Sequence, residues 1–328
     1  MMKTATALQQ TATQHFYEDV VKGLTGTPKY LQSKYFYDAA GDALFQQIMH
    51  TPEYYLTRCE LEILSAQAVA IADALGATPF NLVELGPGDA SKSFYLLKEL
   101  HRRHPEQAYF PIDISENIIT QLQHALPARL QGLQVQGLCG EYIDMLKTTA
   151  YFSPRRKVVM FMGASIGNFT PEEAVKFCRR LREQMNPGDL LLIGFDLRKQ
   201  PQMILDAYND GQGVTRDFNL NLLTRINREL GADFDINQFH HFPTYDPLTG
   251  ACKSYLVSNT AQEVLLGEHV IRFRKDEPIF MEISQKYSVD ETRQLAAAAG
   301  FRPVQHFFDN KRWFTDVLWE LSQNHNAL

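Results

Sequence analysis

Phe80-Asn81-Leu82-Val83-Glu84-Leu85-Gly86-Pro87-Gly88-Asp89-Ala90-Ser91 is the stretch that decides the fold. Its first six residues form a short apolar run, and two glycines follow at once, the pattern of a buried strand emptying into a tight turn. From Ser91 to Arg103 the chain reads as a helix, so the whole is a strand–turn–helix unit. A glycine turn in that position lets backbone N–H groups come close to a ligand. The dinucleotide fingerprint wants a third glycine at position 91, where this chain has Ser91. That counts against NAD or FAD.

Outward from this unit the alternation continues. Upstream, residues 60–75 repeat apolar positions at three and four and stop at Gly76, which predicts one helix. Downstream, residues 109–113 read as a second strand and residues 117–126 as a helix stopped by Pro127. Residues 157–162 are a further strand, running into Gly163-Ala164-Ser165-Ile166-Gly167-Asn168-Phe169. Thr170-Pro171-Glu172-Glu173 then opens a helix with a Thr cap, a first-turn proline and a glutamate three residues after the cap. After the turn Asn186-Pro187-Gly188-Asp189, residues 190–195 form a buried strand closed by Asp196. Strands alternating with helices of this length imply a parallel α/β sheet with helices on both faces.

Beyond Asp196 the pattern changes. Residues 197–286 hold two or three helices, one ending at Leu230-Gly231, and then alternating stretches such as 253–257 and 279–284. Helices followed by strands indicate an α+β insertion. Ser288-Val289-Asp290-Glu291 is another capping box, its Ala-rich helix stops at Gly300, and residues 304–308 and 313–318 close the chain as a hairpin. The expected division is an α/β domain of residues 60–196 and 287–328, with a second domain of residues 8–59 and 197–286.

Composition sets outer limits. The 328 residues carry 32 Lys+Arg against 38 Asp+Glu, a net charge of −6, with 45% hydrophobic and 21% charged residues, so the chain is an ordinary globular one. No basic stripe of the kind phosphate backbones require is present, and nucleic acid is not an expected partner. Cys59, Cys139, Cys178 and Cys252 are far apart, which suits a reducing compartment. No apolar leader and no run near the roughly 18 residues of a membrane span is seen. The expectation is a cytoplasmic enzyme or small-molecule binder, with nothing demanding more than a monomer. Among ten histidines only His101/His104 and His240-His241 have metal-like spacing, without supporting ligands, so no metal site is expected.

Several residues are candidates for chemistry. Lys92, early in the helix after the glycine turn, either pairs with a ligand carboxylate or is a solvated helix lysine. Asn168 supplies both donor and acceptor where open α/β sheets bind ligands, or merely stabilises its loop. Glu282 and Ser284 lie two apart on a strand and share one face, with Ile279, Met281 and Ile283 on the other. A carboxylate beside a hydroxyl can hold a ring with two nitrogens, such as imidazole; the alternative is an exposed polar face. Tyr35, Phe36, Tyr37, Tyr54 and Tyr55 form an aromatic-rich segment of the type that more often packs a core or an interface.

Glu84 before Gly86 and Gly88, with Asp113 ending the second strand, resembles the class I S-adenosylmethionine-dependent methyltransferases. In that family the glycine loop wraps the methionine half of the cofactor and the second acid accepts from the ribose hydroxyls. The resemblance narrows further. Tyr35-Phe36-Tyr37-Asp38-Ala39-Ala40-Gly41, Leu44-Phe45, Pro52-Glu53-Tyr54-Tyr55-Leu56-Thr57-Arg58, the glycine loop with Lys92, residues 163–169, Phe218-Asn219, residues 227–234 and Met281-Glu282-Ile283-Ser284 are similar to the L-histidine Nα-methyltransferases of ergothioneine biosynthesis. The likeness runs from about residue 15 to the C-terminus.

That resemblance implies a Rossmann-like methyltransferase domain with an inserted α+β substrate-binding domain, S-adenosylmethionine as cofactor and L-histidine as substrate. It places Tyr37 and Asn168 around the substrate amine and carboxylate, Tyr208 at the carboxylate end, and Glu282 with Ser284 on the imidazole. Tyr54 matches a residue beside both cofactor and substrate, and Glu141-Tyr142 the adenine contact. The chain departs from the family at Glu141, where Asp is usual, and at Lys253-Ser254, where an acid and a methionine are usual near the imidazole pocket. The implied reaction is threefold methylation of the α-amine to hercynine, with Tyr37 orienting the amine or relaying its proton. Rival readings are methylation of another amino acid or aromatic amine, and a non-catalytic S-adenosylmethionine-binding module.

Overall fold

The computed structural model describes residues 2–322, with side chains from residue 13 onward. The chain divides into two compact units, Met1–Tyr55 with Lys199–Ser284, and Leu56–Arg198 with Gln285–Leu328. The seams fall two to four residues from the boundaries drawn on the sequence. The last six residues of the expected 287–328 segment lie outside the described residues.

The second unit is built on an eight-stranded sheet. Its path runs Phe301–Phe308, Phe314–Leu321, Leu190–Asp196, Arg156–Phe161, Phe80–Leu85, Ala108–Asp113 and Gln134–Val135, and Leu138–Cys139 also pairs with Ala108–Asp113. The strands from Leu190–Asp196 to Leu138–Cys139 are parallel, with Leu82 opposite both Tyr109 and Val158. Phe314–Leu321 is antiparallel to both its neighbours and closes the sheet as a hairpin. Because the central strands are covered on both faces they carry apolar side chains almost without interruption: every residue of Phe80–Leu85 and of Leu190–Asp196 is buried. Val83, Phe161, Ile193, Val317 and Trp319 gather on one face against Phe177 and Leu181 of helix Pro171–Glu183 and Leu295 of helix Val289–Ala299. Leu82, Glu84, Met160 and Asp316 alternate onto the other face. Lys286 and Asp196, both fully buried, pair at 2.8 Å where the chain re-enters this unit.

Local chemistry explains the helix ends. Thr170 with Glu173 and Ser288 with Glu291 form complete capping boxes, and Gly231 and Gly300 stop their helices in the left-handed region. Three sequence expectations need correction. Residues 60–75 are not one helix but two, Leu56–Ala66 and Ala68–Leu75, broken at Gln67, whose φ of −117° and ψ of 15° leave the helical well while its amide donates to Phe308 O at 2.7 Å. The helix after the glycine turn begins at Phe94, so Lys92 precedes it. Helix Glu116–Arg129 runs through Pro127 instead of stopping there. A proline so near the C-terminus removes a single backbone bond, and Leu130 N–H still reaches Leu126 O at 2.8 Å.

The first unit holds a four-stranded sheet ordered Lys29–Tyr30, Pro278–Gln285, Ala251–Ser258 and Phe239–Tyr245, with a separate hairpin of Gln262–Leu266 and His269–Phe273. Lys29–Tyr30 joins the sheet in parallel with Ile279 and Phe280. Helix Ala39–His50 packs on helix Val214–Leu230. Asp38 ties the two together: one carboxylate oxygen caps Gly41 N at 2.7 Å and takes Asn221 Nδ2 at 2.9 Å, while the other pairs with Arg228.

Candidate active site

In the second unit the candidate residues gather at the carboxyl ends of the parallel strands, where open α/β sheets bind ligands. Gly86 follows Phe80–Leu85 with φ +66°, and its N–H is held by Ile112 O at 2.9 Å. A Cβ there would come within 2.6 Å of Tyr142 Oη, so only glycine lets the turn lie against that phenol. At Gly88 a Cβ would meet nothing within 4 Å. The backbone at this point of the turn is open.

Glu84 lies beneath the turn, 2% exposed, and accepts the Tyr109 phenol hydrogen at 2.6 Å. Burial pushes its carboxyl up to about 7, against the opposing hydrogen bonds from Tyr109 and Ser93. Asp113 ends the next strand half-buried and takes Ser115 N–H at 2.9 Å. Burial raises its pKa too, although the Ser115 amide resists. Glu141 is exposed at the start of helix Tyr142–Thr148. Tyr142 stands edge-on to Phe161, and burial pushes its phenol well up. Asn168 is exposed at the end of the short 3-10 helix Ser165–Asn168.

Lys92 is not a solvated helix lysine. Its ammonium pairs with Glu60 of helix Leu56–Ala66, whose side chain is wholly buried, and that of Lys92 is 23% exposed. Burial works to lower its pKa, but the charge and hydrogen bond of Glu60, with the nearby acids Asp316 and Glu84, together outweigh it and raise the pKa. The sequence gives no sign of Glu60, which reads as one polar position on an amphipathic helix. It does carry a sign of the neighbouring Asp316, an acid inside the apolar strand Phe314–Leu321.

In the first unit the candidate aromatics form a connected chain. Tyr37 meets Phe45 and Phe218 edge-on at 5.8 Å, Phe45 meets Tyr54 at 6.3 Å, and Tyr54 meets Tyr208 at 6.2 Å. The Tyr208 hydroxyl then lies 2.7 Å from Ser284 Oγ. Tyr54, Tyr208 and Ser284 are buried, whereas Tyr37 is 41% exposed and accessible. Along Pro278–Gln285, Ile279, Met281 and Ile283 are buried and Glu282 is half-buried on the face shared with Ser284.

The family model described as "Histidine-specific methyltransferase, SAM-dependent" matches residues 16–321. The chain belongs to this family. Among its relatives, the histidine N-alpha-methyltransferase of Mycobacterium tuberculosis is 36% identical over 302 residues, 91% of this chain and 90% of that protein. The corresponding enzyme of Mycolicibacterium smegmatis is 35% identical over 300 residues, again 91% and 90%. Ergothioneine biosynthesis protein 1 of Schizosaccharomyces pombe is 31% identical over 288 residues, 84% of this chain and 37% of that protein. The protein is thus a histidine methyltransferase and S-adenosylmethionine is its cofactor. The residues fit that cofactor: an open glycine backbone at Gly88, a half-buried carboxyl at Asp113 and the partly exposed Lys92 side chain supply an acceptor and a cation for a ligand bearing ribose hydroxyls and a carboxylate.

Proposed function

We propose that this histidine methyltransferase transfers three methyl groups in succession to the α-amine of L-histidine, giving hercynine for ergothioneine biosynthesis. The observation that carries the reading is the polar face of Pro278–Gln285, where Ser284 is tethered to Tyr208 at 2.7 Å and Glu282 stands on the same side. A carboxylate and a hydroxyl fixed in that way suit the two nitrogens of an imidazole. The activities for which the mycobacterial and fission-yeast relatives are named point in the same direction.

Bound S-adenosylmethionine supplies an electrophilic methyl group on a positively charged sulfur. Gly86, Gly88, Lys92, Asp113, Glu141, Tyr142 and Tyr54 are the residues assigned to hold it, with Glu84 supporting the turn from below. The rest of the chain's task is positioning, since in-line displacement at a methyl group depends on alignment above all. Glu282 and Ser284 hold the imidazole, Tyr208 and Asn168 the carboxylate end, and Tyr37 the amine. That amine must shed a proton before each transfer to expose its lone pair. Tyr37 is a partly exposed residue whose ring is fixed between Phe45 and Phe218, which suits it to orient the amine and pass the proton to water. The region Met1–Tyr55 with Lys199–Ser284 is accordingly the substrate-binding part, and Leu56–Arg198 with Gln285–Leu328 the cofactor-binding part. The protein acts as a monomer in the cytoplasm, a setting that suits four cysteines spaced far apart along the chain.

Mass spectrometry of histidine incubated with the enzyme and S-adenosylmethionine should show the trimethylated product; unchanged histidine at saturating cofactor refutes the assignment. Glu282→Ala should abolish the preference for histidine over amino acids without a ring nitrogen. Unaltered histidine kinetics in that variant would remove the imidazole from Glu282.

A further inference from the structure

Two loops of the second unit bear on the cofactor: the glycine turn that carries Lys92, and the loop after Arg156–Phe161 that begins near Gly163. One buried side chain joins them. The carboxylate of Glu60, 0% exposed, takes Gly163 N–H on Oε1 at 2.6 Å and the Lys92 ammonium on Oε2. Lys92 Nζ would in turn lie 3.6 Å from a Cβ on Gly163, so ammonium and loop are packed together. An ammonium has three donors, and Glu60 takes one.

We propose that Glu60 is a positioning residue of the cofactor site: it clamps the Lys92 ammonium and the Gly163 amide in one arrangement, so that Lys92 turns its remaining donors to the carboxylate of S-adenosylmethionine. The inference rests on the assignment of Lys92 as a cofactor residue and names what makes that assignment work.

The surroundings are shaped for this clamp. Gly194 lies directly under it, and a Cβ there would stand 2.6 Å from Glu60 Oε1 and 3.2 Å from Asp316 Oδ1. Gly194 is not among the residues with positive φ, so its lack of a side chain is needed for space and not for backbone conformation. Asp316, opposite Gly194 on the adjoining strand, is fully buried, and neither of its oxygens has a hydrogen-bond partner among the described residues. Burial, with the charge of Glu60 adding to it, pushes the Asp316 carboxyl well above the usual carboxylate range. Of the three acids near this cation, Glu60, Glu84 and Asp316, it is Glu60 whose carboxylate hydrogen-bonds the Lys92 ammonium among the described residues.

The test is calorimetric binding of S-adenosylmethionine and S-adenosylhomocysteine to the full chain, together with steady-state kinetics for histidine. Glu60→Gln keeps the shape and removes the charge; it should weaken both cofactor forms by about tenfold or more while the KM for histidine stays within about twofold. Gly194→Ala removes no charged group but displaces Glu60, and should weaken cofactor binding in the same way. The double variant Glu60→Gln/Lys92→Met leaves no charge uncompensated and should bind cofactor no worse than Lys92→Met alone, since both residues act through one ammonium. Normal cofactor affinity in folded Glu60→Gln or Gly194→Ala, alongside a loss in Lys92→Met, would overturn the role of Glu60 and leave Lys92 in place. A double variant much weaker than Lys92→Met would also overturn it. Normal affinity in Lys92→Met would remove Lys92 from the site, and the clamp with it.

Discussion

The hydroxyl of Tyr208 and Oγ of Ser284 lie 2.7 Å apart, both buried, and so join the turn after helix Pro201–Asp206 to the polar face of strand Pro278–Gln285. The bond constrains the rotamers of both side chains, and Glu282 stands on the same face of the strand as Ser284.

From this follows the effect of Tyr208→Phe. The ring contact to Tyr54 survives, but Ser284 loses its tether, and a buried hydroxyl is left without that partner. The loss is about 1 kcal/mol, or roughly fivefold, and should appear in the KM for histidine with cofactor affinity unchanged. Steady-state kinetics with histidine varied at saturating cofactor would show it. A change confined to cofactor affinity would contradict the placement of Tyr208.

Glu84 makes the second unit sensitive to pH. Its carboxyl is raised to about 7 by burial, and in the unfolded chain it titrates near 4.5. Between those values the folded protein holds a proton that the unfolded chain has released. Stability from this group is thus complete below about pH 4.5 and falls as pH rises through about 7, by about 3 kcal/mol in all. Glu84→Gln cannot titrate, so the difference in denaturant midpoint between pH 5 and pH 7.5 should shrink in the variant. Parallel pH profiles for the two proteins would show that Glu84 is already ionised at pH 5.

What the sequence revealed and what it concealed divide along a physical line. The strands at 80–85 and 190–196 are visible because burial on both faces leaves an unbroken apolar run, and the helix starts at Thr170 and Ser288 because capping is chemistry between residues three apart. The break at Gln67 is not visible: it is secured by a bond to Phe308, 241 residues away. Pro127 misleads for the opposite reason, since a general rule about proline is outweighed by the bonds on either side of it. The candidate site follows the same division. Gly86, Gly88 and Asp113 stand at strand ends and are found from the pattern, but nothing local marks Glu60, whose partners Lys92 and Gly163 come from two other loops.

Gly86→Ala tests the glycine turn directly. An alanine at φ +66° costs about 1 kcal/mol, and its methyl would also press on Tyr142 Oη at 2.6 Å. Tyr142 must move or the turn must, and both belong to the region assigned to the cofactor. Affinity for S-adenosylhomocysteine should fall by about tenfold in a calorimetric titration, with the histidine KM at saturating cofactor little altered. If affinity is retained and only the melting temperature drops, the turn is structural.

The pair Lys286–Asp196 sets the stability of the junction where the chain returns to the second unit. Both side chains are wholly buried and 2.8 Å apart, and Asp196 O also accepts Tyr287 N–H at 3.0 Å. Lys286→Met removes the cation and leaves the buried Asp196 carboxylate without that ammonium, an imbalance of about 3–5 kcal/mol. In a domain of this size that corresponds to a fall of about 10 °C in Tm. Lys286→Met/Asp196→Leu removes both charges and should recover a large part of the loss, because the desolvated carboxylate is then gone. Thermal melts of the wild type, the single and the double variant decide the matter: a double variant as unstable as the single one would mean that packing around Lys286, and not its charge, holds the junction.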